Sequence, residues 1–413
     1  MNFLSYAHGN QITPKLGLDR MACLMDKLGN PEREGRFIHI AGTNGKGSVS
    51  VALSAMLLAA GYRVALFTSP NLVDIHERIR IDGKPIRQET LSRLTSLVET
   101  ASGEVKAELG EWPTPFEIWT AVFFLAVKEW RCDYAVLETG LGGLSDATNI
   151  IPQNEMAVLT RIDYDHTAYL GDTLSEIAAV KCGILKANSG TGKLFSVRQA
   201  PVVEQVILAE CQEKGIAPIW IDAPAPHHFE GFYEVVDFPE IGTLRLPLSG
   251  THQIENMSLA LSCAKALGLR PHAIKEGLAH TRHPGRMELL STHPPILYDG
   301  AHNPSGIKAL VTSLARYAPR TKWTLIFATM QDKDYLASIE MLAPLCERVF
   351  CTTVQNNPRA LPPKELAQSL AKRGIVATPY PTLCEALFYA QNTPTLICGS
   401  LYLYADLPTQ FLS

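Results

Sequence analysis

The stretch Phe37–Phe67 constrains this chain more than any other. Phe37-Ile38-His39-Ile40-Ala41 reads as a short buried strand, and Gly42-Thr43-Asn44-Gly45-Lys46-Gly47-Ser48 follows it as a Gly-rich turn. Ser48 to Gly61 carries apolar residues at helical spacing and stops at a Gly, and Arg63–Phe67 is the next strand. Strand, turn, helix, strand is a βαβ unit, and that unit implies a parallel sheet.

The turn itself points to phosphate. Glycines let backbone N–H groups face inward, the helix N-terminus adds positive potential, and Lys46 supplies a point charge. The strict G-x-x-x-x-G-K-[ST] pattern is not met. Ile40 takes the first Gly position, and Gly47 delays the hydroxyl to Ser48.

The same alternation continues along the chain. Helical patterns cover Phe116–Trp130, Thr173–Lys186 and Ser249–Gly268, with strands at Tyr134–Glu138 and Met156–Thr160. A second series has strands at Pro295–Asp299, Trp323–Ala328, Arg348–Thr352 and Thr395–Cys398, and helical patterns from Pro304, Asp334, Pro363 and Thr382. At 413 residues, two domains are expected. The fold class is α/β: a P-loop-containing parallel-sheet ATPase domain, residues 1–288, followed by a smaller Rossmann-like α/β domain, residues 289–413. The boundary falls in the Pro- and His-rich stretch His283–Pro295.

Charge excludes some partners. Lys+Arg number 37 against 41 Asp+Glu, a net −4, which gives no electrostatic reason to expect nucleic acid or an anionic membrane. Met1–Tyr6 lacks a basic region followed by an apolar stretch, and apolar runs such as Val49–Ala60 are too short to span a bilayer. Nine scattered cysteines without C-x-x-C spacing fit small core residues in a reducing cytoplasm, which is the expected location.

Ligands of open α/β sheets bind beyond the carboxyl ends of the strands, so residues there are candidates. Ser69, in Thr68-Ser69-Pro70, follows the second strand; alone, such a residue is more often a turn or cap. Glu138 ends an apolar strand and is placed to bind Mg²⁺ directly or through water. Gly140-Leu141-Gly142-Gly143 behind it allows close backbone approach, which a tight loop alone would also use. Asp165-His166 follows a third strand. Lys181 sits in a mostly apolar helical setting, where burial makes an amine nucleophilic. A lysine that snorkels, or pairs with a carboxylate, fits the same pattern and is the simpler reading of the residues alone.

As an ordered set these motifs resemble the Mur ligase superfamily, in its folylpolyglutamate synthase / dihydrofolate synthase branch. The resemblance is carried by His39–Ser48, Thr68-Ser69-Pro70, Phe116-Glu117, Glu138 through Asn149, Asp165-His166, Leu170-Gly171, Lys181, His252-Gln253 with Asn256, Pro284-Gly285-Arg286, Asp299–Pro304, Asp332-Lys333-Asp334 and Gly399–Tyr402. It covers nearly the whole chain, and Gly47 after Lys46 separates the folate branch from the cell-wall branch.

The resemblance implies an ATP-dependent ligase that joins L-glutamate to dihydropteroate or a reduced folate through an acyl phosphate, acting as a monomer. It implies that Asn44, Gly45, Lys46, Gly47 and Ser48 hold the ATP phosphates, with further ATP contacts from Asn256, Arg286 and Asp299. Ser69 and Glu138 would bind one Mg²⁺ and His166 a second, which a carbamylated Lys181 helps to hold. His302 corresponds to the C-terminal active-site histidine. Thr114, Pro115, Phe116 and Glu117 with Ser145, Asp146 and Ala147 would form the pterin site. The alternative within the fold is a ligase acting on a UDP-sugar peptide. Four residues depart from the family's usual pattern: Leu144 for Arg, Asn71 for His, Val180 for Glu and His283 for Trp. None is a proposed metal or phosphate ligand; Leu144 and Asn71 bear on the acceptor.

Overall fold

A computed structural model describes residues 3–7, 15–187, 190 and 192–412. Met1 and Asn2, part of the N-terminal stretch read above, lie outside the described residues. The chain divides into two compact units, Met1–Pro224 with Glu255–Thr281, and Ala225–Ile254 with Arg282–Ser413.

The first unit is built on an eight-stranded sheet. Its strands are β1 (Phe37–Ala41), β2 (Val64–Phe67), β3 (Ile79–Ile81), β4 (Lys84–Pro85), β5 (Tyr134–Glu138), β6 (Met156–Leu159), β7 (Lys193–Val197) and β8 (Ala217–Ile221). The order is β4-β3-β2-β5-β1-β6-β7-β8. From β2 to β8 all neighbours are parallel, and the short β3–β4 hairpin closes one edge antiparallel. β1, β2, β5 and β6 are buried end to end, as strands covered on both faces must be. β1 is flanked by β5 on one side and β6 on the other, so the strand order reverses there. In open α/β sheets that reversal opens a crevice at the carboxyl ends. The register puts Ile40 opposite Glu138 and Ala41 opposite Leu159, bringing the phosphate turn and Glu138 to the same sheet end.

Around this sheet run α1 (Phe3–Ala7), α2 (Asp19–Lys27), α3 (Lys46–Ala59), α4 (Gln88–Leu109), α5 (Pro115–Trp130), α6 (Thr167–Leu170), α7 (Leu174–Cys182), α8 (Pro201–Lys214), α9 (His252–Ala266) and α10 (Pro271–His280). One apolar cluster joins Phe37, Phe67, Trp119, Phe123 and Phe124 to α2 and α4; another joins Ala41, Leu159 and Ile177 to Val203 and Ile207 of α8. α3 crosses α10 closely. At Gly277 a Cβ would lie 2.3 Å from the Met56 Cα, so only Gly allows the approach. α7 stops at Cys182, short of the expected Lys186, with Gly183 as its C-cap; the Leu144 backbone lies where a side chain at 183 would be, so that position must be Gly.

The second unit holds a three-stranded antiparallel sheet, β9 (His228–Glu230), β10 (Tyr233–Phe238) and β11 (Gly242–Arg245). Its main sheet has β12 (Glu288–Thr292), β13 (Pro295–Asp299), β14 (Trp323–Phe327), β15 (Cys346–Cys351), β16 (Thr378–Pro379) and β17 (Thr395–Cys398), in the order β12-β13-β17-β14-β15-β16. All pairs are parallel except β12–β13. Helices α11 (Pro304–Tyr317), α12 (Tyr335–Leu342), α13 (Pro363–Ala371) and α14 (Leu383–Tyr389) complete this Rossmann-like unit, whose core includes Leu297, Trp323, Phe327, Ile307 and Leu366.

Where one cut at 288/289 was expected, residues 225–254 group with the second unit. Phe232 packs on its core, and the fully buried Glu234 accepts from Arg316 at 2.6 Å and from the Tyr317 hydroxyl at 3.0 Å, both on α11. The apolar pattern of three short strands does not say which core they join. Among the described residues no helix is long and apolar enough to cross a membrane.

Candidate active site

The phosphate turn occupies the carboxyl end of β1. Gly42 has φ +149°, and a Cβ there would fall 1.9 Å from the Thr160 Oγ1; Gly45 has φ +93° at the N-cap of α3, and a Cβ there would fall 2.3 Å from Asn256 Oδ1. Both glycines are therefore required by position as well as by conformation. The turn is pinned from β6: Thr43 N–H donates to the Arg161 carbonyl at 2.8 Å, and Thr43 Oγ1 to the Asp163 carbonyl at 2.9 Å. Arg161 in turn pairs with Glu255 on α9, next to Asn256. Lys46 folds back over its own loop, donating to the carbonyls of Gly42 at 3.0 Å and Thr43 at 3.3 Å. Gly47 and Ser48 are buried in the first turn of α3.

Lys181 reaches the same carbonyl. Its Nζ donates to Gly42 O at 2.9 Å from a side chain only 4% exposed. Burial, and secondly repulsion from Lys46, bring this ammonium down to about 7, while Asp165 and Asp146 act the other way. The residue is thus not snorkelling, and among the described residues it has no direct ion-pair partner. Glu138, buried at the end of β5, accepts from the Ser69 N–H at 3.1 Å. A carboxylate and a hydroxyl-bearing residue so meet across adjacent strand ends beside the turn, a hard-oxygen donor set that suits Mg²⁺. His166 stands at φ +51° with its side chain 41% exposed; its N–H is bonded to Asp165 Oδ1. Among the described residues no three His, Cys, Asp or Glu side chains cluster as a ready-made metal site.

The two segments expected around the acceptor meet at the glycine loop. Phe116, at the start of α5, lies over Gly140, whose missing Cβ leaves room for the ring. Thr114 and Glu117 form a capping box around Pro115, and Glu117 also pairs with Arg20 at 3.1 Å. Asp146 is buried too, accepting from Leu141 N–H at 2.7 Å and Thr148 N–H at 3.0 Å. Both carboxylates are engaged in holding backbone. Ser145 and Ala147 flank this cap, and Leu144 is 56% exposed beside it. Of the departures, Asn71 accepts from Arg78 at 2.8 Å, and Val180 fills the space left by the hydrogen of Gly142.

Arg286, Asp299 and His302 belong to the second unit. Asp299 ends β13, accepting from the Met287 and Ala301 N–H groups at 2.7 Å each. Burial raises its carboxyl, and Arg286 opposes that. His302 Nδ1 lies 2.9 Å from the Gly300 carbonyl, and Asn303 caps α11.

Comparison with known proteins places the chain in a family. The Mur ligase middle domain matches residues 40–264, and the Mur ligase glutamate ligase domain matches residues 285–398. The Bacillus subtilis protein named dihydrofolate synthase/folylpolyglutamate synthase is 35% identical, over 98% of this chain and 97% of its own. The chain belongs to the Mur ligase family. The fold agrees: Mycobacterium tuberculosis folylpolyglutamate synthase, solved with ADP and AMPPCP, superposes with a TM-score of 0.88 at 32% identity, covering 96% of this chain and 95% of that one. An Escherichia coli structure in complex with DHPP and ADP gives 0.84 at 28% identity, covering 98% and 95%.

The folate-ligase branch read from Gly47 is thus borne out for this Mur ligase. Sequence reasoning missed Thr160, Arg161 and Asp163, which fix the turn, and held Thr148 only as part of the stretch Glu138–Asn149, with no role of its own. The places of Thr160, Arg161 and Asp163 at and just after the end of β6 are the one signal that could have marked them.

Proposed function

We propose that this Mur ligase uses ATP to join L-glutamate to the carboxylate of dihydropteroate, a reduced folate, or both. The observation that carries the reading is the convergence of Lys46, Lys181 and the Glu138–Ser69 pair on one turn at the strand-order reversal. The names and ligands of the relatives support it: folate-ligase names across nearly the whole chain, and structures holding ADP, AMPPCP or folate.

In this reading the N–H groups of Asn44–Ser48 and the Lys46 ammonium hold the ATP phosphates, and Asn256 seats the nucleotide beside Gly45. The acceptor carboxylate attacks the γ-phosphorus, giving an acyl phosphate and ADP. The α-amine of glutamate then attacks the acyl carbon, forming the amide, losing a proton and releasing phosphate. Mg²⁺, held by Ser69 and Glu138, and at a second site by His166, would neutralise charge on the transferring phosphoryl group. Lys181, buried and near neutrality, is suited to add CO₂ at Nζ with loss of one proton; the resulting carbamate would help hold that second ion. Arg286, Asp299 and His302 serve ATP and glutamate from the glutamate ligase domain, while Thr114–Glu117 and Ser145–Ala147 frame the acceptor, Glu117 and Asp146 by holding backbone. The enzyme would work as a monomer in the cytoplasm.

An acceptor panel tests this. With ATP, Mg²⁺ and glutamate, dihydropteroate or tetrahydrofolate should release ADP and phosphate, and a UDP-sugar peptide should not. Turnover with the peptide alone would overturn the folate assignment.

A further inference from the structure

His39 lies on β1, three residues before Gly42, and is completely buried. Its Nε2 is 2.8 Å from Thr148 Oγ1, and Thr148 Oγ1 in turn bonds Asp146 Oδ1. A hydroxyl has one proton, and the carboxylate can only accept it. Thr148 therefore donates to Asp146, and His39 must donate to Thr148 through Nε2–H. The Nδ1 lone pair is left buried without a partner. A buried acceptor left unpaired is costly, so the Nε2 contact with Thr148 is the one polar interaction among the described residues that orients this ring. Burial, with Lys186 as a second cause, drives the ring's protonation down to about 3, so the ring is neutral at neutral pH and carries a single N–H, which the Thr148–Asp146 bond places on Nε2.

The bonds continue. Asp146 Oδ2 accepts from Leu141 N–H at 2.7 Å. Two residues on, Gly143 abuts the carbonyls of Val180 and Lys181 at distances only Gly permits, and Leu144 N–H donates to Val180 O at 2.8 Å. Lys181 then returns to Gly42 O at 2.9 Å. A closed circuit of contacts thus runs from β1 through Thr148, Asp146, the glycine loop and α7 back to the turn that follows β1.

We propose that His39 is a positioning residue that acts through Thr148 and Asp146 to set the glycine loop, and through it Lys181, against the phosphate turn. This rests on the ligase reading for its catalytic consequence alone; the hydrogen-bond relay stands without it. A core histidine that only fills space needs no donor, and a leucine would replace it. A positioning histidine needs its Nε2–H, which the amide of a glutamine can supply in the same place.

The test compares His39→Leu, His39→Gln, Thr148→Val and the double variant His39→Leu/Thr148→Val in the full chain, by amide hydrogen exchange over residues 140–144 and by kcat and KM. Exchange in that loop should quicken at least about tenfold in His39→Leu and in Thr148→Val, no further in the double variant, and return towards the parent in His39→Gln. kcat should fall roughly 10–100-fold in the same variants, the usual cost of removing an outer hydrogen-bond partner, with KM for ATP little changed. Unchanged exchange, or additive losses with no recovery in His39→Gln, overturns the relay. Exchange as expected in a protein without ligase turnover would instead fault the activity reading and leave the relay standing.

Discussion

Lys46 and Lys181 place their amines on one acceptor, the carbonyl of Gly42, at 3.0 and 2.9 Å. Burial first, and repulsion from the neighbouring Lys46 amine second, bring Lys181 down to about 7, while Lys46 lies partly open at the turn. A charge change at Lys181 therefore bears directly on the group proposed to hold phosphate.

The sign of its pH effect follows. The Lys181 ammonium stands at about 7 in the folded chain against 10.5 for the free side chain. Between those values the unfolded chain binds a proton that the folded chain does not, so stability from this residue rises with pH from 7 towards 10.5. Relative to Lys181→Met, the parent protein in CO₂-free buffer should gain on the order of 1 kcal/mol per pH unit above pH 7 in urea denaturation. A gap that stays constant from pH 7 to 9 contradicts the buried amine.

Glu138→Gln keeps an acceptor for the Ser69 N–H but removes the negative charge. Stability should change little, while kcat falls on the order of 100-fold and the Mg²⁺ needed for half-maximal rate rises. A magnesium titration of activity reads this directly, and an unchanged titration would exclude Glu138 as a ligand.

Gly42→Ala sets a methyl against Thr160 at a backbone angle that side chains rarely adopt. A loss of about 1–3 kcal/mol or more is expected, and Thr160→Ala, by removing the hydroxyl that collides, should recover part of it. Strictly additive losses in denaturant would argue that the two do not touch.

Glu117→Ala leaves Arg20 without its most buried partner and undoes the α5 capping box. Arg20 keeps Glu111 at 3.1 Å, so a loss of roughly 2–4 kcal/mol is expected rather than the full cost of a stranded charge. Thermal denaturation measures it. Because that capping box frames the proposed acceptor site, KM for the acceptor should rise together with the loss of stability; a raised KM at parental stability would make Glu117 a direct substrate contact instead.

The phosphate turn was legible because backbone geometry left it little choice: a buried strand, glycines at φ +149° and +93°, and a lysine opening the helix. The parallel strands were legible for a similar reason, being apolar from end to end. The rest depended on distant partners. Glu117 reads as a polar residue near a ligand, and only folding shows its carboxylate turned to Arg20. His39 reads as an interruption of an apolar strand, since Thr148 is 109 positions away. Lys181 read as an ordinary snorkelling lysine from its neighbours; its burial depends on the turn 139 positions earlier. Strands β9 to β11 are short, and only the middle one, β10, is mostly buried, so their pattern did not announce a sheet, still less its unit.

The proposed reaction forms an acyl phosphate on the pteroate or folate carboxylate at this turn. Its most direct measurement follows ¹⁸O from the labelled acceptor carboxylate during turnover with ATP, Mg²⁺ and glutamate, by mass spectrometry of the released phosphate. One ¹⁸O atom should appear in inorganic phosphate for each amide formed. Phosphate that carries no label while amide accumulates, or no acceptor-dependent phosphate at all, would contradict the account.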